Sequence, residues 1–183
     1  MQVEFYQVEE TNTLRRIVKW VVDIIVAVSL AWFAVYSFGS QVRLVGQSMM
    51  PELKEDDVVL MNRLVYDFSD PDRFDVVVFE RENNKSNVKR VIGLPGETVQ
   101  IKSGFIYIDG VRLEAERGLD QVALAGLAES PVLLDEDEYF LLGDNRDGSE
   151  DSRFANIGNV KRRQIQGQIW LRLMPLIDLS LIE

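Results

Sequence analysis

The sequence predicts a mainly β fold, in which an antiparallel β-sheet domain follows one N-terminal transmembrane helix. Residues 20–38 form one long apolar segment whose single charge, Asp23, lies near its beginning. Beyond it, short runs rich in Val, Ile, Tyr and Phe alternate with turn residues, which is typical of strands. The dipeptide Asp109-Gly110 joins two such runs and is typical of a type I′ hairpin turn, since both central positions need positive φ.

The apolar segment 20–38 is long enough to span a bilayer, because a helix of that length rises about 28 Å. A cleavable secretory signal is the alternative, since Ser37 and Gly39 could form a small-x-small cleavage site. The apolar cores of such signals usually run roughly 7–15 residues. The longer segment here therefore favours an uncleaved anchor.

Basic residues predict how this anchor is oriented. Arg15, Arg16 and Lys19 precede the apolar segment, and residues 11–19 include no acid. By the positive-inside rule, residues 1–19 would form a cytoplasmic tail and residues 39–183 an extracytoplasmic β-rich domain. The expected localisation is the cell membrane, with a single-pass topology.

The β-domain is expected to contain several short strands. The predicted strands are 58–61, 76–79, 88–94, 99–101, 105–108, 139–142 and 165–171. Residues 114–130, rich in Ala, Leu and Glu, predict a helix or an irregular excursion, and no active-site residue is assigned to them.

The composition excludes several classes of site. The chain has no histidine and no cysteine, so a Ser-His-Asp triad, a cysteine nucleophile, disulfides and His- or Cys-based metal sites are impossible. The net charge of −10 disfavours a nucleic-acid partner. Neither a metal nor a cofactor is expected.

Residues 45–53 contain a serine, Ser48, directly before Met49, Met50 and Pro51. Taken alone, such a serine is more often a turn or helix-cap residue than a nucleophile. Because histidine is absent, a nucleophile here would need a lysine, a carboxylate or the N-terminal amine to accept its proton.

Residues 87–99 contain a candidate for that base. On a strand, Arg90 and Lys89 would lie on opposite faces, so one of the two must point inward. Burial disfavours the charged form of a lysine and lowers its pKa, which would make Lys89 a usable general base near neutral pH. The competing interpretation is a lysine that reaches solvent from a sheet edge.

Residues 143–153 read Gly-Asp-Asn-Arg-Asp-Gly-Ser-Glu-Asp-Ser-Arg. Gly, Asp and Asn are common in tight loops, because they adopt left-handed conformations and bond their own backbone. The same acids, arginines and serines also suit a buried polar network in which a hydroxyl orients an amine. Both interpretations stay open on these residues alone.

Together and in this order, the three segments resemble the bacterial type I signal peptidases, in their short, Gram-positive-like form. In that family a serine before Met-x-Pro attacks, and a lysine before Arg-x-x-Gly-x-Pro-Gly acts as base. The resemblance runs from the anchor to about residue 171 and includes the Asp-Val-Val-Val-Phe strand at residues 75–79. It implies a membrane serine endopeptidase that removes signal peptides from exported preproteins after Ala-x-Ala-like sites.

The resemblance also implies catalytic roles. Ser48 would be the nucleophile, Lys89 its general base and later general acid, and Ser149 the hydroxyl that orients Lys89. The oxyanion would rest on the backbone at Ser48 and Gly46, where some family members instead have a hydroxyl at the position of Gly46. Phe74 and Gly148 depart from a common glycine and a common asparagine, which puts only local loop shape in doubt.

Further residues would support the site and bind substrate. The supporting ion pairs would be Asp144 with Arg90 and Asp151 with Arg153. Shallow pockets for small side chains, beside which substrate docks as an added β-strand, would be lined by Arg43, Leu44, Val45, Met49, Leu53 and Val88.

Two other functions stay open at this point. A self-cleaving Ser-Lys protease of the repressor type would need a DNA-binding N-terminal domain in place of the apolar helix. A membrane-tethered binding module could share the fold without aligning Ser48 and Lys89. The expected partners are signal peptides of preproteins and the lipid bilayer.

Overall fold

The computed structural model describes residues 10–38, 40–81, 85–114 and 121–182. The chain divides after Ser37 into an N-terminal helical unit and a β-rich unit. The helical unit contains all of α1, Glu10–Phe38, except its last residue, and the stretch Thr13–Ser37 is long and apolar enough to cross a membrane. The predicted span 20–38 falls within α1. Gly39 and residues 1–9 of the predicted tail lie outside the described residues.

The composition of α1 suits a lipid environment better than water. Its apolar part is rich in Val and Ile, which lower helix propensity in water because χ1 is restricted. In hydrocarbon a helix satisfies every backbone hydrogen bond within the segment, and this outweighs propensity. The apolar side chains of α1 are exposed to its surroundings, as the anchor prediction requires.

Within the described residues, the larger β-sheet has eight strands in the order β1-β2-β11-β3-β4-β9-β10, with β12 paired to β11. All the pairings are antiparallel. A short helix, α2, spans Val65–Phe68. The strands are β1 Ser40–Arg43, β2 Val58–Asn62, β3 Val76–Glu80, β4 Ser86–Gly93, β9 Glu138–Leu142, β10 Val160–Lys161, β11 Ile165–Met174 and β12 Ser180–Leu181.

The smaller sheet has four strands in the order β7-β6-β5-β8 within the same described residues. Its strands are β5 Thr98–Lys102, β6 Phe105–Ile108, β7 Val111–Arg112 and β8 Val132–Leu133. The turn between β6 and β7 has φ of 51° at Asp109 and 80° at Gly110. Ile108 pairs with Val111 across it, which confirms the predicted hairpin.

All seven predicted strands are present, most of them one to three residues longer than predicted, except that the strand predicted at 88–94 ends at Gly93. The sequence predicted β7 only as the second run of the hairpin, and it did not predict β1, β8, β10 or β12. Of the predicted excursion 114–130, residues 115–120 lie outside the described residues. Its described part contains a 3₁₀ turn, Gly126–Glu129, whose Ala128 is buried.

The central strands of the larger sheet are covered on both faces. Val76 and Val78 pack into one cluster with Val88, whereas Val77 and Val91 pack into another on the opposite face. For that reason strand alternation does not separate an inward from an outward side here. We expected at least one of Lys89 and Arg90 to point inward, and both are buried, at 3% and 2% exposure.

Candidate active site

Ser48 lies in the loop that connects β1 to β2. Gly46 opens the turn with φ of 85°, a conformation that favours glycine. The loop is held from the other side of the site by Asn145, whose backbone N–H donates to Ser48 O at 3.1 Å. The Asn145 side-chain amide donates to Gln47 O at 3.0 Å. These two bonds fix the nucleophile loop against the 143–153 loop.

Lys89 reaches Ser48 from the middle of β4, opposite Val77 of β3. Its Nζ lies 2.8 Å from Ser48 Oγ, and it also donates to Val88 O at 3.1 Å. Two residues 41 positions apart in the chain are thus within hydrogen-bond distance. The structure brings together the predicted nucleophile and the predicted base.

Burial lowers the pKa of Lys89 from 10.5 to about 8, because an ammonium loses its hydration inside the sheet. Asp151, Asp144 and Glu150 oppose this by favouring the charged form, and Arg81 reinforces it. Desolvation is the largest of these effects. About a tenth of the Lys89 side chains would therefore be neutral at pH 7.

Arg90, the neighbour of Lys89 on β4, points to the opposite face of the sheet. It pairs with Asp144 through two bonds, Nε to Oδ1 at 2.9 Å and Nη2 to Oδ2 at 2.8 Å. It also donates to Phe74 O at 2.8 Å. Both side chains of the pair are almost fully buried, so the predicted supporting contact is present.

The second predicted pair, Asp151 with Arg153, is also buried and bidentate. The two bonds measure 2.7 and 2.8 Å. Asp151 Oδ2 in addition accepts the backbone N–H of Gly143 at 3.1 Å, which ties the two ends of the 143–153 loop together. Arg153 Nη1 donates to Leu124 O at 3.1 Å. Residues 121–130, whose role the sequence left open, thus brace this arginine.

Ser149 lies directly beside the nucleophile loop. A Cβ placed on Gly143 would meet Ser149 Oγ at 2.2 Å and Ser48 O at 2.5 Å, so glycine is required between them. The Ser149 hydroxyl is buried and makes no hydrogen bond within the described residues. Its predicted role in orienting Lys89 stays a prediction.

A pocket of about 140 Å³ lies next to Ser48 and Lys89. It is lined by all six residues predicted to contact substrate. The lining also includes Val42, Ser86 and Asn87, which the sequence did not single out. Ser86 and Asn87 lie before the predicted strand 88–94, and they border the pocket because β4 begins two residues earlier than predicted.

Two departures from the family pattern have local explanations. Phe74 has φ of 76°, a conformation that glycine adopts more easily, and its ring packs partly buried against the core. Gly148 receives the Asn145 side chain, and a Cβ there would lie 2.6 Å from Asn145 Nδ2. Glycine at position 148 thus leaves room for the Asn145 side chain that contacts the nucleophile loop.

The assembled groups suit acyl transfer. A hydroxyl contacts a buried amine, and two ion pairs hold the surrounding loop in place. Among the described residues no cluster of three or more acidic side chains is placed to hold a metal ion. The backbone oxyanion site at Ser48 and Gly46 stays a prediction, as does the expected absence of a cofactor.

A family model and individual relatives of this chain indicate the same protein family. Residues 17–174 match the family described as signal peptidase, peptidase S26. Over 167 residues the chain is 34% identical to signal peptidase I of Bacillus caldolyticus, covering 85% of this chain and 88% of that protein. Over 166 residues it is 35% identical to signal peptidase I of Bacillus amyloliquefaciens, covering 87% and 89%.

A crystal structure of a signal peptidase I from Enterococcus faecalis V583 is 33% identical and covers 55% of this chain and 97% of that chain, with a TM-score of 0.44. The family match extends over most of the sequence, including all three motif segments. The chain therefore belongs to the signal peptidase family, peptidase S26, and is a serine endopeptidase of the signal peptidase I type.

Proposed function

We propose that this protein removes signal peptides from exported preproteins by cutting after small-x-small sites such as Ala-x-Ala, with Ser48 as nucleophile and Lys89 as general base. The observation that carries the proposal is the 2.8 Å contact between Ser48 Oγ and the Nζ of a lysine that is 3% exposed. The chain has no histidine that could act as the base. The basic group in contact with this hydroxyl is the amine of Lys89.

The proposed reaction follows from the neutral state of Lys89. The amine takes the hydroxyl proton as Ser48 Oγ attacks the scissile carbonyl, and the resulting ammonium gives that proton to the leaving amine. This leaves an acyl-serine. Lys89, again neutral, then takes a proton from water as the water attacks the ester, and returns it to Ser48 Oγ.

Neighbouring groups would assist these steps. The oxyanion would be bound by the backbone N–H of Ser48 with help from the backbone near Gly46, and one such donor is worth about 3 kcal/mol elsewhere. The buried Ser149 hydroxyl, which has no partner among the described residues, is available to hold the amine of Lys89.

The pocket supports selection for small side chains. A volume of about 140 Å³ suits alanine better than large residues, and the apolar side chains of Leu44, Met49, Leu53 and Val88 contribute to its wall. Residues 42–46 and 86–89 border it. A substrate in extended conformation would add as a strand beside these segments.

The proposed location is the cell membrane. The apolar helix α1 would anchor the protein, with residues 1–19 cytoplasmic and residues 39–183 outside, because Arg15, Arg16 and Lys19 precede the span. An anchored enzyme meets substrates whose own apolar segment lies in the same bilayer. The search is then two-dimensional.

The test is cleavage of a model preprotein with an Ala-x-Ala site by the full chain in detergent. Ser48→Ala and Lys89→Ala should each abolish cleavage, whereas Ser130→Ala and Lys102→Ala, which alter exposed residues of the β-domain, should leave it unchanged. Mass spectrometry of the product should place the cut after the second alanine. Full activity of either Ser48→Ala or Lys89→Ala would refute the assignment.

A further inference from the structure

Arg146 is a buried cation whose side chain has no hydrogen-bond partner among the described residues. It lies in the 143–153 loop at 8% exposure. All three guanidinium nitrogens are buried and make no hydrogen bond within the described residues. Arg90 and Arg153, the other two buried arginines of the site, each hold a carboxylate through two bonds. The proposed chemistry gives Arg146 no role.

The charges that face Arg146 are those of the two supporting ion pairs. Asp144 and Asp151 act on it as opposite charges, and Arg90 and Arg153 as like charges. Desolvation is the largest influence and lowers the pKa of Arg146 to about 10, so the side chain is charged at neutral pH. With two carboxylates and three guanidinium groups, this buried cluster carries an excess positive charge.

The same two carboxylates act on Lys89. Asp151 and Asp144, together with Glu150 of the same loop, favour its charged form, and Arg81 at the end of β3 opposes them. A catalytic lysine that must be neutral is thus surrounded by acids that would keep it protonated. A positive charge beside those acids counteracts their field at Lys89.

We propose that Arg146 is a positioning residue for the Ser48–Lys89 pair: its unpartnered charge offsets Asp144 and Asp151, so that Lys89 is free to accept the hydroxyl proton. This inference rests on the proposed function. A buried charge without a hydrogen-bond partner opposes folding. If Arg146 served only for packing, its side chain should stabilise the fold. If it serves through the electrostatic effect of its charge, it should not.

The test compares Arg146→Met and Arg146→Gln with wild type and with Arg163→Met, which removes an exposed arginine. The measurement is kcat/KM against pH for the Ala-x-Ala preprotein, using the full chain in detergent. In both Arg146 variants the rise of kcat/KM with pH, called the acid limb of the profile, should be shifted upward by about one pH unit. This shift lowers kcat/KM at pH 7 by about tenfold. Activity should recover above the new limb, and Arg163→Met should match wild type.

The midpoint of thermal unfolding separates this role from a purely structural one. Loss of a structural arginine should lower the midpoint. The midpoints of both Arg146 variants should equal or exceed that of wild type. An unmoved acid limb, or a pH-independent loss of activity together with a lower midpoint, would overturn the role of Arg146. Failure of the proposed function is separate, because it appears as retained activity in Ser48→Ala or Lys89→Ala.

Discussion

Replacing Lys89 by methionine should abolish cleavage and yet stabilise the protein at neutral pH. Methionine has a similar length and no charge, so the exchange removes the cost of burying an ammonium. The pKa of Lys89 falls from 10.5 to about 8 on folding, chiefly through desolvation. Linkage converts this difference into roughly 3 kcal/mol against folding of the wild type at pH 7.

The sign and the pH window follow from these two pKa values. Below pH 8 both states bind the proton, so the full cost is present in wild type. Between pH 8 and pH 10.5 the folded protein has lost the proton and the unfolded chain still holds it, so wild-type stability rises with pH. The advantage of Lys89→Met should shrink from roughly 3 kcal/mol at pH 7 to under roughly 1 kcal/mol at pH 10.

Urea unfolding in detergent micelles, followed by pulse proteolysis of the β-domain, measures this advantage at both pH values. Comparing the two values cancels the packing terms, which do not depend on pH. Lys102→Met, at an exposed lysine, is the matched control and should show no pH-dependent gain. A gain for Lys89→Met that is equal at pH 7 and pH 10 would refute the account of a desolvated lysine.

Two further predictions concern the supports of the site. Asp144→Asn should destabilise the fold by about 3–5 kcal/mol in the same urea assay, because it leaves the charge of Arg90 buried without its carboxylate. Asp56→Asn, in the exposed pair with Arg43, should change stability by less than about 1 kcal/mol, and equal effects would contradict the argument. Gly143→Ala should lower kcat/KM by about a hundredfold, because its methyl group would displace Ser149 and Ser48. Wild-type kcat/KM in this variant would show that the spacing of the two serines is not critical.

Local sequence signals predicted part of the fold. The hairpin at Asp109-Gly110 followed from turn chemistry, and the longer strands followed from runs of β-branched residues. The two-residue strands β8 and β10 could not be predicted, because they exist only through pairing with β5 and β9. Their sequences contain no periodic pattern.

Part of the candidate site could likewise be predicted from the sequence, and part could not. On the residues alone, Ser48 could also be a turn or helix-cap residue and Lys89 a lysine that reaches solvent. The ordered motifs of the family favoured the functional interpretation. Alternation placed Lys89 and Arg90 on opposite faces of β4, but it could not show that both are buried, because both faces of the strand are covered. The bracing of Arg153 by Leu124 O had no sequence signal, since any residue supplies a backbone carbonyl. That Arg146 has no hydrogen-bond partner in the described part of the chain depends on tertiary placement alone.

The central claim is that neutral Lys89 activates Ser48. The most direct measurement is the rate of covalent labelling by a β-lactam-type acylating inhibitor as a function of pH, with the labelled residue located by mass spectrometry. The account predicts acylation of Ser48, with a rate that rises with an apparent pKa near 8 and then levels off. Labelling at another residue, or a rate that keeps rising to the pKa of a free lysine, would contradict it.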